Sequence, residues 1–228
     1  MTTIFGKEGT CAVCGSKQTV QEIGSTNTFG PMDLDTRPPE MQRSTMEYWV
    51  HECGECGYVA PELGAAADGA GRIVSSAGYR VELKNASRVK LANRFVCRAL
   101  LEEAAGDLGS AGWRRLHSAW ACDDAEQGEE ARVQRRAALE LFERARAGGQ
   151  HAMKSVAGGD ELLLADVARR AGEFQTAETY VAAGLALAEV PAFVTSLLML
   201  QQDLVRARDI GCHTVDEVEA APTGGTVH

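Results

Sequence analysis

Two C-x-x-C-G pairs stand 38 residues apart in the first quarter of the chain: Cys11 and Cys14 in "GTCAVCGSK", Cys53 and Cys56 in "HECGECGYVAPE". Four soft ligands in two pairs match what a structural zinc ion demands, a closed tetrahedral shell. Two intervening residues let both thiolates of a pair point at one ion. The glycine after each second cysteine, Gly15 or Gly57, lets the backbone curl so that amide N–H groups face the sulfurs. The separation exceeds the roughly 15–20 residues of the simplest four-cysteine signature. A Pro-rich loop accounts for the excess, because closure cost grows slowly with loop length. A redox dithiol is the alternative, but it places its C-x-x-C at the start of a helix, and neither pair precedes a helical pattern. The reading is one structural zinc per chain, held by Cys11, Cys14, Cys53 and Cys56. His51, two residues before Cys53, is expected to be an exposed strand histidine and not a ligand. Cys97 reads as a small buried hydrophobe, and neither it nor Cys122 or Cys212 has the neighbouring histidine and acid that would mark a nucleophile.

Residues 1–60 read as a small β module with a zinc-ribbon character, in which "QTVQEIGS" and "EYWVHEC" are strands beside the pairs. Between them, "NTFGPMDLDTRPPEMQRS" (27–44) reads as a long loop. Residues 61–84 are a transition segment with a short helix in "IVSSAGYRVEL". From about Asn85 the apolar period becomes 3.6. Six helices are expected to follow, with stripes such as Ala92, Phe95, Val96, Ala99 and Leu100, and a last one opening near Pro191. The fold class is α+β and mostly α: the β module, then an all-α helical-hairpin domain over 85–213, then a disordered tail over 214–228. "EEAAGDLGSAGW" aligns with "ARRAGEFQTAETY", placing Gly106 on Gly172, Asp107 on Glu173 and Ala111 on Ala177. The offset of 66 residues is twice the roughly 33–34-residue period of ankyrin and tetratricopeptide arrays. Tetratricopeptide-like hairpins are therefore expected.

Charge narrows the function classes. The net charge is −9, and residues 1–60 alone hold four basic and eight acidic side chains, a net of −4. A protein built on phosphate contacts carries a basic footprint, so the composition argues against nucleic acid. The arginines of 132–146 are matched by equal acids over 126–146 and read as a solvated helix face. Glu189 and Pro191 interrupt the most apolar stretch, Tyr180–Leu200, which argues against a membrane span. Seven cysteines without a secretory pattern point to reduced thiols and a cytoplasmic location.

The set "CAVCG", "FGPMDLDTRPPEM", "EYWVHECGECGY", "LANRFVCRALLEEAAGDL" and "LHSAWACDD" resembles a bacterial family of domains of unknown function. In that family a zinc-ribbon-like module precedes tetratricopeptide-like helices. The resemblance spans roughly residues 10–125 and, more loosely, the later helices. It implies the same four cysteine ligands and adds no activity. Ala12 stands where such ribbons often carry proline.

Three other features carry polar or ionisable groups that could have a role. Asp33, Asp35 and Arg37 in the loop are either a recognition surface or, as the simpler reading has it, paired with each other or with the helical domain. His117, one turn from Trp113 and Trp120, is either a buried base or a core-edge residue. The acids of 123–130 lack the alternating ligands of a calcium loop and read as a solvated helix end. No phosphate loop, nucleophile elbow or zinc-protease motif is present, and no small-molecule substrate is indicated. The expectation is a non-enzymatic zinc-binding scaffold or adaptor that docks a protein partner, with a second copy of itself as one candidate. The alternatives are a transcription-associated zinc-ribbon accessory and a small enzyme using the loop acids with His117.

Overall fold

A computed structural model describes residues 1–153 and 156–218. The chain is mostly helical, with two small antiparallel sheets near its N-terminus. It forms two compact units that do not follow chain order: residues 1–28 with 40–152, and residues 29–39 with 153 and 156–218.

In the first unit, β1 (Thr3–Thr10) pairs with β2 (Lys17–Ser25) in a register running from Ile4↔Ile23 to Thr10↔Lys17. The first cysteine pair makes the turn of this ribbon. A short 3₁₀ helix (Arg43–Tyr48) leads into β3 (His51–Glu52), which pairs with β4 (Val59–Ala60) around the second cysteine pair. Most of "EYWVHEC" is thus not strand, as expected, but 3₁₀ helix and turn. Local bonds compete with the sheet there: Thr45 Oγ1 donates to the Gln42 carbonyl at 2.7 Å and accepts from Trp49 Nε1 at 3.1 Å. The transition segment holds two short helices, α1 (Ala70–Ser75) and α2 (Ala77–Leu83). Ser76 ends the first and caps the second by accepting from the Tyr79 N–H.

Helices α3 (Lys90–Ala104), α4 (Leu108–Asp124) and α5 (Gly128–Ala147) pack successively, α3 on α4 and α4 on α5. Ala99, Ala111 and Leu141 form a core cluster with Leu108 against it. The approach is close at Gly112, where a Cβ would lie 2.7 Å from the Phe142 ring.

The second unit contains α6 (Gly159–Ala171), α7 (Phe174–Leu185), α8 (Ala192–Arg206) and a 3₁₀ turn (Val215–Val218). Its core joins Leu34 of the loop to Leu197 and Leu204, with Leu162, Leu200, Val215 and Val218 packed around them. The Leu34 N–H donates to the His213 carbonyl at 2.9 Å, and the Val215 N–H donates to the Met32 carbonyl at 3.0 Å. Residues 214–218, assigned by composition to the tail, are therefore ordered by pairing with a segment some 180 positions away; residues 219–228 lie outside the described residues.

The Gly106/Gly172 alignment corresponds to one repeated helix ending. Gly106 and Gly172 take φ 81° and 83°. In each, the glycine N–H and the next N–H bond back into the last turn: Gly106 to Glu103, Asp107 to Glu102, Gly172 to Arg169, Glu173 to Ala168. This is the Schellman pattern. The end of α4 repeats it with Glu126 at φ 58° in the glycine position and Gln127 bonded to Cys122.

Candidate metal centre

The two cysteine pairs fold into matching knuckles. Cys11 N–H donates to the Ser16 carbonyl at 2.9 Å and Cys53 N–H to the Tyr58 carbonyl at 2.8 Å. Gly15 N–H donates to Cys11 and Gly57 N–H to Cys53, both at 2.8 Å. These closures need the left-handed φ of 76° at Gly15 and 72° at Gly57. Helix α2 braces the second knuckle through the buried Tyr79, whose hydroxyl donates to the Gly57 carbonyl at 2.9 Å. The first knuckle is tied by the Ala12 N–H to the Leu63 carbonyl at 2.8 Å.

The four sulfurs converge. Cys11 and Cys56 Sγ are 3.7 Å apart, Cys14 and Cys53 Sγ are 3.6 Å apart, and all four lie within 4.8 Å of one another. Ligands about 2.3 Å from a tetrahedral ion would be separated by roughly 3.8 Å. The donor set therefore fits a single metal, and four thiolates select zinc or iron over harder ions. Among the described residues, these cysteines are the only group of three or more potential ligands gathered this closely.

The surroundings treat the thiols unequally. Burial would raise Cys53, but hydrogen bonds from Ser16, the Cys56 N–H, Gln18 and the Glu55 N–H outweigh it and bring the thiol down to about 5. Burial and the neighbouring sulfurs push Cys56 up to about 12, against the Tyr58 N–H. Ser16 lowers Cys14, while burial raises Cys11. N–H groups directed at sulfur are what a buried thiolate cluster needs to offset its charge.

Ser16 is the residue that sequence reasoning missed: its Oγ lies 3.2 Å from both Cys14 and Cys53 Sγ, linking the knuckles. Its place directly after Cys14–Gly15 was the available signal. His51 corrects another expectation, because it is 8% exposed. It pairs with Ala60 in the small sheet, and burial lowers its pKa.

The other candidates lie elsewhere. Asp33 accepts from Arg37 Nε at 2.6 Å, and Asp35 accepts from Arg170 Nη1 at 2.8 Å, all four residues being buried. These are the pairings of the simpler sequence reading. His117 sits among the rings of Trp49, Phe95, Trp113 and Trp120, with centroids 4.8–6.1 Å away. Of the acids of 123–130, Asp123 pairs with Arg135 at 2.6 Å and Glu129 with Arg132. Cys97 and Cys122 are fully buried, and burial pushes them up to about 12 and about 11. Cys212 accepts from Arg37 Nη2 at 3.4 Å.

No protein-family model matches this sequence, and comparison with curated proteins and with solved structures finds no similar one. What is shown is a small β region with a four-cysteine cluster followed by helices. No helix among the described residues is long and apolar enough to cross a membrane.

Proposed function

We propose that this chain is a zinc-binding, non-enzymatic scaffold: a metal-folded ribbon followed by tetratricopeptide-like hairpins that present a surface to another protein in the cytoplasm. The observation that carries the reading is the convergence of four cysteine sulfurs on one point from two matched knuckles. Four protein ligands leave no open position, so the ion folds the module and does not activate water. Zinc is the metal of this reading because four thiolates form the closed tetrahedral shell of a structural zinc site; iron is the other metal the same donors accept. The recurring Schellman ends of α3, α4 and α6 support helical hairpins of the kind that build binding surfaces. The net of −4 over residues 1–60 weighs against a nucleic-acid role.

A second copy of the chain is the simplest partner to test. Sedimentation equilibrium on zinc-loaded protein should give a mass that rises with concentration toward twice 24.3 kDa. A monomer at every concentration would remove self-association from the proposal. Turnover of any substrate, with or without the metal, would count against the non-enzymatic reading.

A further inference from the structure

The four clustered sulfurs do not face an incoming reagent equally. Cys11 and Cys53, the first cysteine of each knuckle, are 1% and 0% exposed. Cys56 is half-buried and Cys14 is exposed. Backbone support follows the same division. Cys11 Sγ receives the N–H groups of Val13 and Cys14, and Cys53 Sγ those of Glu55 and Cys56. The second cysteines have one such donor each, the Ser16 N–H at Cys14 and the Tyr58 N–H at Cys56. The thiolate is the form that attacks electrophiles, and one with fewer donors keeps more of its charge on sulfur.

Two neighbours complete the arrangement at Cys14. Its Sγ lies 3.6 Å from Cys53 Sγ, and Ser16 Oγ lies 3.2 Å from both. The contact between Cys14 and Ser16 is at the surface. A hydroxyl carries one proton, so Ser16 donates to only one of the two thiolates at a time. The cysteines outside the cluster lack this combination. Cys97 and Cys122 are fully buried. Cys212 is exposed, but desolvation of its sulfur raises it to about 11, against Arg170, so it stays a thiol at neutral pH.

We propose that Cys14 is a modification site for hydroperoxides, with Cys53 as the thiolate that resolves it and Ser16 as the hydroxyl that restrains it. This rests on the four-thiolate reading of the centre and adds a reactivity to it. In the first step the Cys14 sulfur attacks the hydroxyl-bearing oxygen of the peroxide. An S–O bond forms, the O–O bond breaks, and the leaving alkoxide or hydroxide takes a proton from water. The product is a sulfenic acid on Cys14. In the second step the Cys53 thiolate attacks the Cys14 sulfur, an S–S bond forms, the S–O bond breaks and hydroxide leaves. The two thiolates lose two electrons and the peroxide gains them. Two of the four ligands are then tied in a disulfide across the knuckles, and the site no longer holds its ion. A thiol reductant reverses the change.

The test treats the full chain, as purified, with sub-stoichiometric hydrogen peroxide at neutral pH, with and without dimedone to trap sulfenic acid. Peptide mass spectrometry reads the adducts and disulfides, and a chromogenic chelator reads the release of zinc. Metal content measured before peroxide is added reports on the zinc reading by itself. The order of labelling is read whichever metal is found. The first dimedone adduct is expected on Cys14. Without dimedone, the first disulfide is expected between Cys14 and Cys53, with zinc released in step with it. Ser16→Ala keeps all four ligands and should form the Cys14 adduct about threefold faster, as a thiolate relieved of a donor is the stronger nucleophile. Ser16→Thr, which restores the hydroxyl, should behave as the parent chain does. Equal adducts on all four cysteines, a first adduct on Cys56, a first disulfide other than Cys14–Cys53, or an unchanged rate in Ser16→Ala would overturn the proposal.

Discussion

Two irregular segments of the first 60 residues are held by opposite means. The knuckles at Cys11–Ser16 and Cys53–Tyr58 converge four sulfurs within 4.8 Å, and backbone N–H groups support them. The loop of residues 29–39 lies between them in sequence yet belongs to the other unit. There, Asp35 meets Arg170 at 2.8 Å, Asp33 meets Arg37 at 2.6 Å, and Leu34 enters an apolar cluster. One segment relies on clustered sulfurs and short-range geometry, the other on charges that the chain itself brings from 135 positions away. Both solve the same problem: neither segment has a regular ladder to satisfy its backbone.

This contrast predicts separable failures. The largest effect is expected from the metal. Structural zinc sites carry apparent binding free energies of about 10–16 kcal/mol at neutral pH, far above the stability of a two-stranded ribbon. Cys53→Ser, or a strong chelator, should remove hydrogen-exchange protection from residues 3–25 and 51–60 and shift the emission of Trp49. Amides of α6–α8 should keep their protection, since that unit supplies no cysteine to the cluster.

Arg170→Ala should do the reverse. Removing one member of a buried ion pair costs about 3–5 kcal/mol, because the remaining charge is stranded. Asp35 is fully buried, so protection should fall across residues 29–39 and α6, while the metal content stays unchanged. Loss of metal in this variant would show that the two devices are not independent.

The helix ends give a smaller contrast. Glu126 holds the left-handed position that Gly106 and Gly172 occupy in the sister turns. Glu126→Gly should raise stability by about 0.5 kcal/mol, and Gly106→Ala should lower it by about 1 kcal/mol. Thermal or urea unfolding of the pair would read both signs.

The smallest effect is at the clasp beside the loop. His213 contacts Asp209 at 3.1 Å and Glu217 at 2.8 Å. Asp209 is held below the usual carboxylate range by the Gly211 N–H and then His213; Glu217 is lowered by the Thr214 N–H and His213 against its own burial. Depressed acids stabilise above their unfolded values and lose that contribution as pH falls through the folded ones. Protection of the Val215 N–H, bonded to Met32, should therefore weaken below about pH 4.

How much of this was readable depended on the range of the interaction. The ligand set was legible because C-x-x-C-G encodes its own geometry within five residues. The six long helices were legible because the 3.6 period repeats within each, and Gly106 and Gly172 marked equivalent turns. β1 was not: "TIFGKEGT" has two glycines and only two large apolar residues, and its strand exists through pairing with β2. His51 looked like a surface residue because nothing in the residues around it announces that its side chain is buried. Asp33 and Arg37, four apart, pair locally as the simpler reading had it. Arg170 as the partner of Asp35 lies beyond any periodic pattern, as does the ordering of residues 214–218 by Met32 and Asp33.

The most direct test is elemental mass spectrometry on protein purified without added zinc, with a count of reactive thiols before and after chelation. The account predicts one zinc per chain and four thiols released by the chelator. No bound metal, with Cys11, Cys14, Cys53 and Cys56 cycling between dithiol and disulfide, would contradict it.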